Sequence, residues 1–401
     1  MKNKQLIKLF AAISLGVSFG AFAPDWAIEG VNQVRCAFGG FIRYLVPFII
    51  IGFVTSSIAK AGKSAAKMLL MTMGVALAST VAVGFFAYGV AWGAMPHLVK
   101  VVEDVAMSSA TRGSVWDTVP TICALLASIV IGLVVAKSNA RHEAGLIERF
   151  KGVVSKIIGW TIAPLMPVYI FTVIANMTAK GEIVKLGGDC FKIMGVAVLT
   201  TIAVMVMMYM VAGLLAGRNP LKALGNMMPA YVAGCGSCSS VASIPYTMRQ
   251  VRENGVSDTT AELVIPLCSS VHHLGSVANL IVYAVGVMIL TGGTISAHAF
   301  IPFILLVTVI SFATPGIPGG VAVASASVAG ALLGFTEGQY ALILAIYIAL
   351  DGIGTACNLT CDGAVAMIVE RFMRVQGDVV PRPLYAHTEE MRNCIALQKA
   401  A

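Results

Sequence analysis

Asp351, Thr355, Asn358 and Asp362 stand at offsets 0, 4, 7 and 11 in a stretch otherwise apolar enough to cross a membrane. At roughly 100° per residue, all four fall within one narrow stripe of a helix. A carboxylate near the centre of a spanning helix costs on the order of 3 kcal/mol by insertion scales. Two of them on one face point to a stripe that holds a solute or an ion.

The elements around that stripe must themselves be membrane elements. The chain is 58% hydrophobic and 11% charged, against about 25% charge in soluble proteins, so it reads as an integral membrane protein. Runs of about 20 apolar residues, each long enough to span as a helix, recur. They predict spans near 5–24, 41–59, 66–94, 117–136, 155–178, 190–216, 259–290 and 338–372. The formal net charge of +8 does not point to nucleic acid, because Lys and Arg gather in alternate loops, as in Lys60–Lys67, Lys137–Lys151, Arg218–Lys222 and Arg371–Arg374. The positive-inside rule puts those loops in the cytoplasm. With both termini inside and two segments that enter and return on one side, the crossings close.

Those two segments, 225–250 and 298–335, are apolar but interrupted. The first contains Cys-Gly-Ser-Cys-Ser-Ser and the second Thr-Pro-Gly-Ile-Pro-Gly-Gly, and neither sequence sustains a continuous helix. Irregular backbone at membrane depth survives only where protein buries it or it lines a cavity. Two such segments in corresponding positions mark the binding site of a secondary transporter. A channel with re-entrant loops is the competing reading.

Other features carry less. Lys2, Lys4 and Lys8 precede an apolar run ending Ala21-Phe22-Ala23, as in a signal peptide. Pro24 disfavours cleavage there, so the segment is kept as an uncleaved first helix. The nine cysteines predict no disulfide framework and no cofactor, since a free Cys in a bilayer is a small apolar residue. Cys235, Cys238, His272 and His273 show no recognisable metal spacing. An enzyme would need a nucleophile–base pair or metal cluster, and GxxxxGK[ST] is absent, so neither catalysis nor ATP-driven transport is expected.

Several of these stretches resemble the dicarboxylate/amino acid:cation symporter family, which includes archaeal aspartate and mammalian glutamate transporters. "GRNPLKALGNMMPA" is similar to the family's entry into a first re-entrant hairpin and "SCSSVASIPYTM" to that hairpin's tip. "IPLCSSVHHLGS" resembles the unwound seventh span, "TPGIPGG" the tip of the second hairpin, and "DGIGTACNLTCD" the eighth span. The resemblance implies an all-α integral membrane protein of eight transmembrane helices plus two re-entrant helical hairpins, with inverted repeats and an elevator mechanism. It implies a homotrimer in the cell membrane, here a bacterial inner membrane. Residues 1–65 and 96–180 would form scaffold helices. Residues 66–95 and 190–375 would form the moving transport core, and 376–401 a cytoplasmic tail.

Carried over residue by residue, the match assigns Asp351 to a substrate amino group. Thr355 and Asn358 would take other substrate polar groups, with backbone near Ser239 and Ser240 and the gate-tip residues Gly316, Pro318 and Gly319. Asp362 would ligate sodium with carbonyls of Cys268, His272 and Asn358. Carbonyls of Ser311, Phe312 and Thr314 would build a second sodium site.

Three departures limit the carry-over. Acidic-substrate members place an Arg just before the Thr, where it forks onto a side-chain carboxylate; here that position is Gly354. Tyr347, one turn before Asp351, stands where some relatives brace the Arg with an acid. The expected cargo is therefore a small neutral amino acid such as serine, threonine or alanine. Second, Leu274 replaces an Asp that would ligate a further sodium. Third, His272 and His273 stand in the ion pathway, where a proton could replace a lost sodium. A sodium- or proton-coupled carrier of a dicarboxylate or other small organic acid stays as the alternative, although Asp351 would repel such a ligand. A relative that has lost transport altogether is the other.

Overall fold

The structure, a computed structural model, describes residues 3–59, 66–101, 141–160, 162–179, 181–314 and 319–375, with a few positions between 123 and 135. Among the described residues every regular element is helical. Gly316, Pro318, the fourth expected span at 117–136 and the expected tail lie largely or wholly outside them.

Helix α1 is Asn3–Phe22, α2 is Asp25–Ala59 and α3 is Ala66–Leu98. Then come α4 (Arg141–Trp160), α5 (Ile162–Ala179) and α6 (Glu182–Ala216). The second helix starts at Asp25, well before the expected 41, because a hydropathy run marks only the apolar part of a helix. Helices α1 and α2 pack along α5, and α2 also along α4.

The remaining elements form two helix–break–helix pairs and two interrupted long helices. α7 (Pro220–Asn226) and α8 (Met228–Ser237) lead to a tip at Cys238–Ser240, and α9 (Ile244–Glu253) returns. α10 (Asp258–Val271) and α11 (Leu274–Leu290) are separated by His272 and His273, both outside helical geometry. α12 (Ala297–Ala313) and α13 (Gly320–Leu333) form the second pair. α14 (Glu337–Ala349) is followed by α15 (Asp351–Val375).

That last break corrects the sequence reading, which ran one helix through 338–372. Tyr347 belongs to α14, not to the helix that carries Asp351. Asp351 in a first turn is favoured by the positive end of a helix, and the glycines at 352 and 354 do nothing to carry a helix through from α14.

α15 is the axis of the fold. It packs against α3, α6, α8, α9, α10 and α11. Four described helices are long and apolar enough to cross a membrane: Lys67–Leu98, Gly188–Ala216, Asp258–Leu290 and Asp351–Met373. In the last two, 94% and 89% of the most apolar window is buried within the protein, so these two are central. α6 instead turns Phe191, Leu199, Ile202, Leu214 and Leu215 outward, an apolar face suited to lipid.

Close approach to α15 is made by glycines. A Cβ on Gly234 of α8 would stand 2.5 Å from Leu359 Cδ1 and 2.9 Å from Ala356 Cα. A Cβ on Gly275 of α11 would stand 2.6 Å from Cys357 Cβ. Such small-residue contacts replace the hydrophobic drive that lipid cannot supply. At its far end α15 holds α10 through Glu370, whose Oε2 accepts from Ser257 Oγ at 2.7 Å and from Thr260 Oγ1 at 2.5 Å. Gly275→Ala should lower stability by about 1–3 kcal/mol through overpacking. Gly195→Ala, with nothing within 4 Å of the added methyl, should be neutral or stabilising by up to about 1 kcal/mol. Thermal unfolding in detergent compares them, and equal midpoints for the two variants would remove the seam from the account.

Candidate functional site

The stripe read from the sequence exists. Asp351, Thr355, Asn358 and Asp362 all lie on α15 and are at most 5% exposed. Its upper end meets both helix breaks. A Cβ on Gly352 would stand 2.6 Å from the Cys235 carbonyl oxygen and 3.4 Å from Cys238 Sγ, at the first tip. Gly319, at the second tip, donates its N–H to Asp351 Oδ2 at 3.2 Å. With φ +73°, Gly319 is in the left-handed region, and it caps α13. The Asp351 carboxylate therefore sits at the positive ends of two helices, α13 and its own α15, an arrangement that suits an anion.

At the first tip Cys238 has φ +49°, unusual for a residue with a Cβ. Ser240 is buried, and its carbonyl accepts the Ser243 N–H at 3.1 Å, while Ser239 is half-buried and its N–H meets Ser237 Oγ at 3.3 Å. Both serines thus lie at a tip adjoining α15. Phe312 is inside α12, and Thr314 caps that helix.

Asn358 does something the sequence did not suggest. Its Oδ1 accepts the N–H groups of Gly275 and Ser276 at 2.8 and 3.3 Å, and its Nδ2 donates to Ser276 Oγ at 3.0 Å. Its side chain caps the start of α11 from a neighbouring helix, and is not free for a solute in this conformation. The Ser311 carbonyl is likewise engaged: His273 Nδ1 donates to it at 2.9 Å and the Thr314 N–H at 3.2 Å. To ligate a cation it would have to release one donor.

Asp362 also has a partner that was not foreseen. His272 Nδ1 lies 2.8 Å from Asp362 Oδ1, with neither side chain exposed. The other ring nitrogen, Nε2, is 3.1 Å from Ser79 Oγ on α3. Ser79 Oγ donates to the Ala76 carbonyl at 3.0 Å, so it accepts from Nε2–H. A proton is thus shared between Nδ1 and Oδ1, whichever atom it rides on. Asp362 Oδ2 has no hydrogen-bond partner among the described residues. The sequence analysis named His272 for its carbonyl; asking which buried acid could pair with a buried imidazole would have found the side chain.

Around Gly354 the wall is polar and neutral. A Cβ there would lie 3.1 Å from Asn279 Nδ2 and 3.7 Å from Ser276 Oγ. Among the described residues Asn279 Oδ1 has no hydrogen-bond partner, nor has Tyr283 Oη further along α11, where Tyr283 stands edge-on to Tyr347 at 6.3 Å. No cation-bearing side chain is among these neighbours.

The sodium:dicarboxylate symporter family model matches residues 6–372. The chain belongs to that family. Its members are transporters rather than enzymes, and with its apolar helices this family member is a multi-pass membrane protein. The chain is similar to C4-dicarboxylate transport protein 2 of Polaromonas naphthalenivorans, 23% identical over 91% of this chain and 87% of that one. It is similar to human excitatory amino acid transporter 1, 23% identical over 70% of this chain and 52% of the relative. It is also similar to rat neutral amino acid transporter B(0), 26% identical over 43% of this chain and 34% of the relative. The chain thus spans about half the length of the human relative.

Removing the Asn358 side chain would leave the Gly275 and Ser276 N–H groups buried and unpaired, at about 1–3 kcal/mol each. Asn358→Ala should therefore lower stability by at least about 2 kcal/mol, read as thermal unfolding without any solute. An unchanged midpoint would return Asn358 to a purely solute-facing role.

Proposed function

We propose that this symporter-family member couples inward movement of a cation, sodium in the first instance, to uptake of a small neutral amino acid resembling serine, threonine or alanine. The observation that carries the substrate class is the neutral wall at Gly354. Asn279 and Ser276 line it, and neither offers a charge for a second carboxylate. Asp351 would exchange its bond to the Gly319 N–H for the substrate's ammonium group. That exchange ties binding to the second tip, which makes the tip the natural gate.

The coupling cation would be held at Asp362 as cargo, with carbonyls of Cys268, His272 and Asn358. To enter, it must displace the proton shared with His272. A proton-coupled reading follows from the same contact, and it would be preferred if uptake ran on a proton gradient alone. The wider architecture belongs to this proposal: eight spans, two re-entrant hairpins at Cys238–Ser240 and around Gly319, a homotrimer, and a bacterial inner membrane. The packing of α1 and α2 on α5 and of α2 on α4, and of α3, α6, α8, α9, α10 and α11 around α15, supports a static scaffold beside a moving core.

Purified protein in liposomes under a sodium gradient should take up labelled L-serine, with L-aspartate failing to compete. Saturable, high-affinity aspartate uptake would overturn the neutral assignment. Gly354→Arg should bring in aspartate inhibition, since an Arg–carboxylate fork is worth about 1.5–3 kcal/mol, roughly 10- to 100-fold in affinity. Asp351→Asn should abolish serine uptake while leaving the protein folded. Uptake that survives it would mean that the ammonium group is held elsewhere.

A further inference from the structure

Cys268, His272 and Asp362 bring a sulfur, an imidazole nitrogen and a carboxylate oxygen within 4.8 Å of one another, and none of the three residues is exposed. We propose that this cluster is a binding site for a transition-metal dication of the zinc class, held by side chains. An alkali cation needs only hard oxygen donors, which the family resemblance supplies from carbonyls and Asp362. A thiol and an imidazole add nothing for such an ion, yet they are preferred ligands of zinc, cobalt and copper.

The local sequence explains why the three meet. Cys268 and His272 are four residues apart at the end of α10, so they share a face one turn apart. Asp362 faces them from α15, which packs on α10. From the sequence, Cys235, Cys238, His272 and His273 show no metal spacing, and Cys268 enters only through its carbonyl beside Asp362; the meeting of its thiol with the carboxylate depends on packing between helices remote in the chain.

Charge favours the same ligand class. A thiolate and a carboxylate bring two negative charges, and a dication cancels both in an interior where an uncompensated charge is costly. The imidazole and the carboxylate need little rearrangement. His272 Nδ1 and Asp362 Oδ1 stand 2.8 Å apart with a proton between them. Tetrahedral ligands at about 2.0 Å from a metal stand about 3.3 Å apart, so replacing the proton opens the pair by about half an ångström. Asp362 Oδ2, buried and without a partner among the described residues, is a second oxygen for the ion.

The outer contacts are also those of a metal-bound histidine. The ring nitrogen away from the cluster donates to Ser79 Oγ at 3.1 Å, and Ser79 is fixed by the Ala76 carbonyl at 3.0 Å. Such a second contact holds the imidazole with its other nitrogen turned toward the ion. Three protein ligands leave a fourth position open, the pattern of sites that exchange a ligand rather than of closed structural zinc sites. Binding would release the shared proton and the thiol proton together. This site shares Asp362 with the proposed coupling-cation site, so the two ions exclude each other there, but the metal site does not depend on the symport reading.

The purified full chain in detergent, titrated with Co2+ alone, tests the proposal without any transport measurement. One equivalent should bind with a thiolate-to-cobalt charge-transfer band in the near ultraviolet and tetrahedral bands in the visible, and Zn2+ should bleach both. Cys268→Ser should abolish the charge-transfer band. His272→Gln should weaken binding by more than about 100-fold, and Ser79→Ala by about 10-fold, because outer contacts contribute 10- to 100-fold. Cys235→Ser and Cys238→Ser should leave the spectrum unchanged. A wild-type protein without the band overturns the proposal even if every variant misfolds. A band that survives Cys268→Ser, or that disappears in Cys235→Ser, overturns it as well.

Discussion

The structure depends on keeping two carboxylates, Asp351 and Asp362, inside an apolar protein on one helix. Each is expensive there unless something answers it. Asp351 is answered by the ends of two helices and the Gly319 N–H. Asp362 is answered by the His272 imidazole. These are different solutions with different consequences. A helix end and a backbone N–H can be traded for a ligand's ammonium group when a tip moves. An imidazole with a shared proton can be traded for a cation at almost the same point.

Both answers require helices to stop inside the protein. α10 ends at Val271 and α14 at Ala349, each packed on α15, and α12 ends at Ala313 beside α10. Every such end leaves backbone groups without intrahelical partners. The fold satisfies them with side chains from other helices: Asn358 for the start of α11, His273 for the Ser311 carbonyl, Asp351 for the start of α13. The polar residues of the stripe thus serve as caps for the breaks as well as ligands in waiting. Moving a solute or ion into the site must break a cap, which links occupancy to the shape of the tips.

The third element is closeness. Glycines at 234 and 275 let α8 and α11 lie directly against α15. Polar contacts of about 3 Å between helices demand such an approach, because larger residues at the seam would hold the donors and acceptors apart. The glycine at 354 belongs to the same surface but opens toward Asn279 and Ser276.

By itself the sequence determined the membrane class, the two interrupted segments and the stripe of Asp351, Thr355, Asn358 and Asp362. These are local matters: hydropathy over one helix length, helix-breaking residues, and a period of 3.6. The family resemblance rests on the same local strings. Only the tertiary structure decided how the polar groups are used. That Asn358 caps α11, that His272 stands between Asp362 and Ser79 of α3, and that Cys268 joins them depends on contacts between helices remote in the chain. No period or motif encodes such distances. The break before Asp351 was also hidden, because hydropathy runs on through Leu350 and the glycines at 352 and 354 only weaken a helix there. Asp351 meets the start of α13, 32 residues earlier in the chain, and that contact is a property of packing rather than of local sequence.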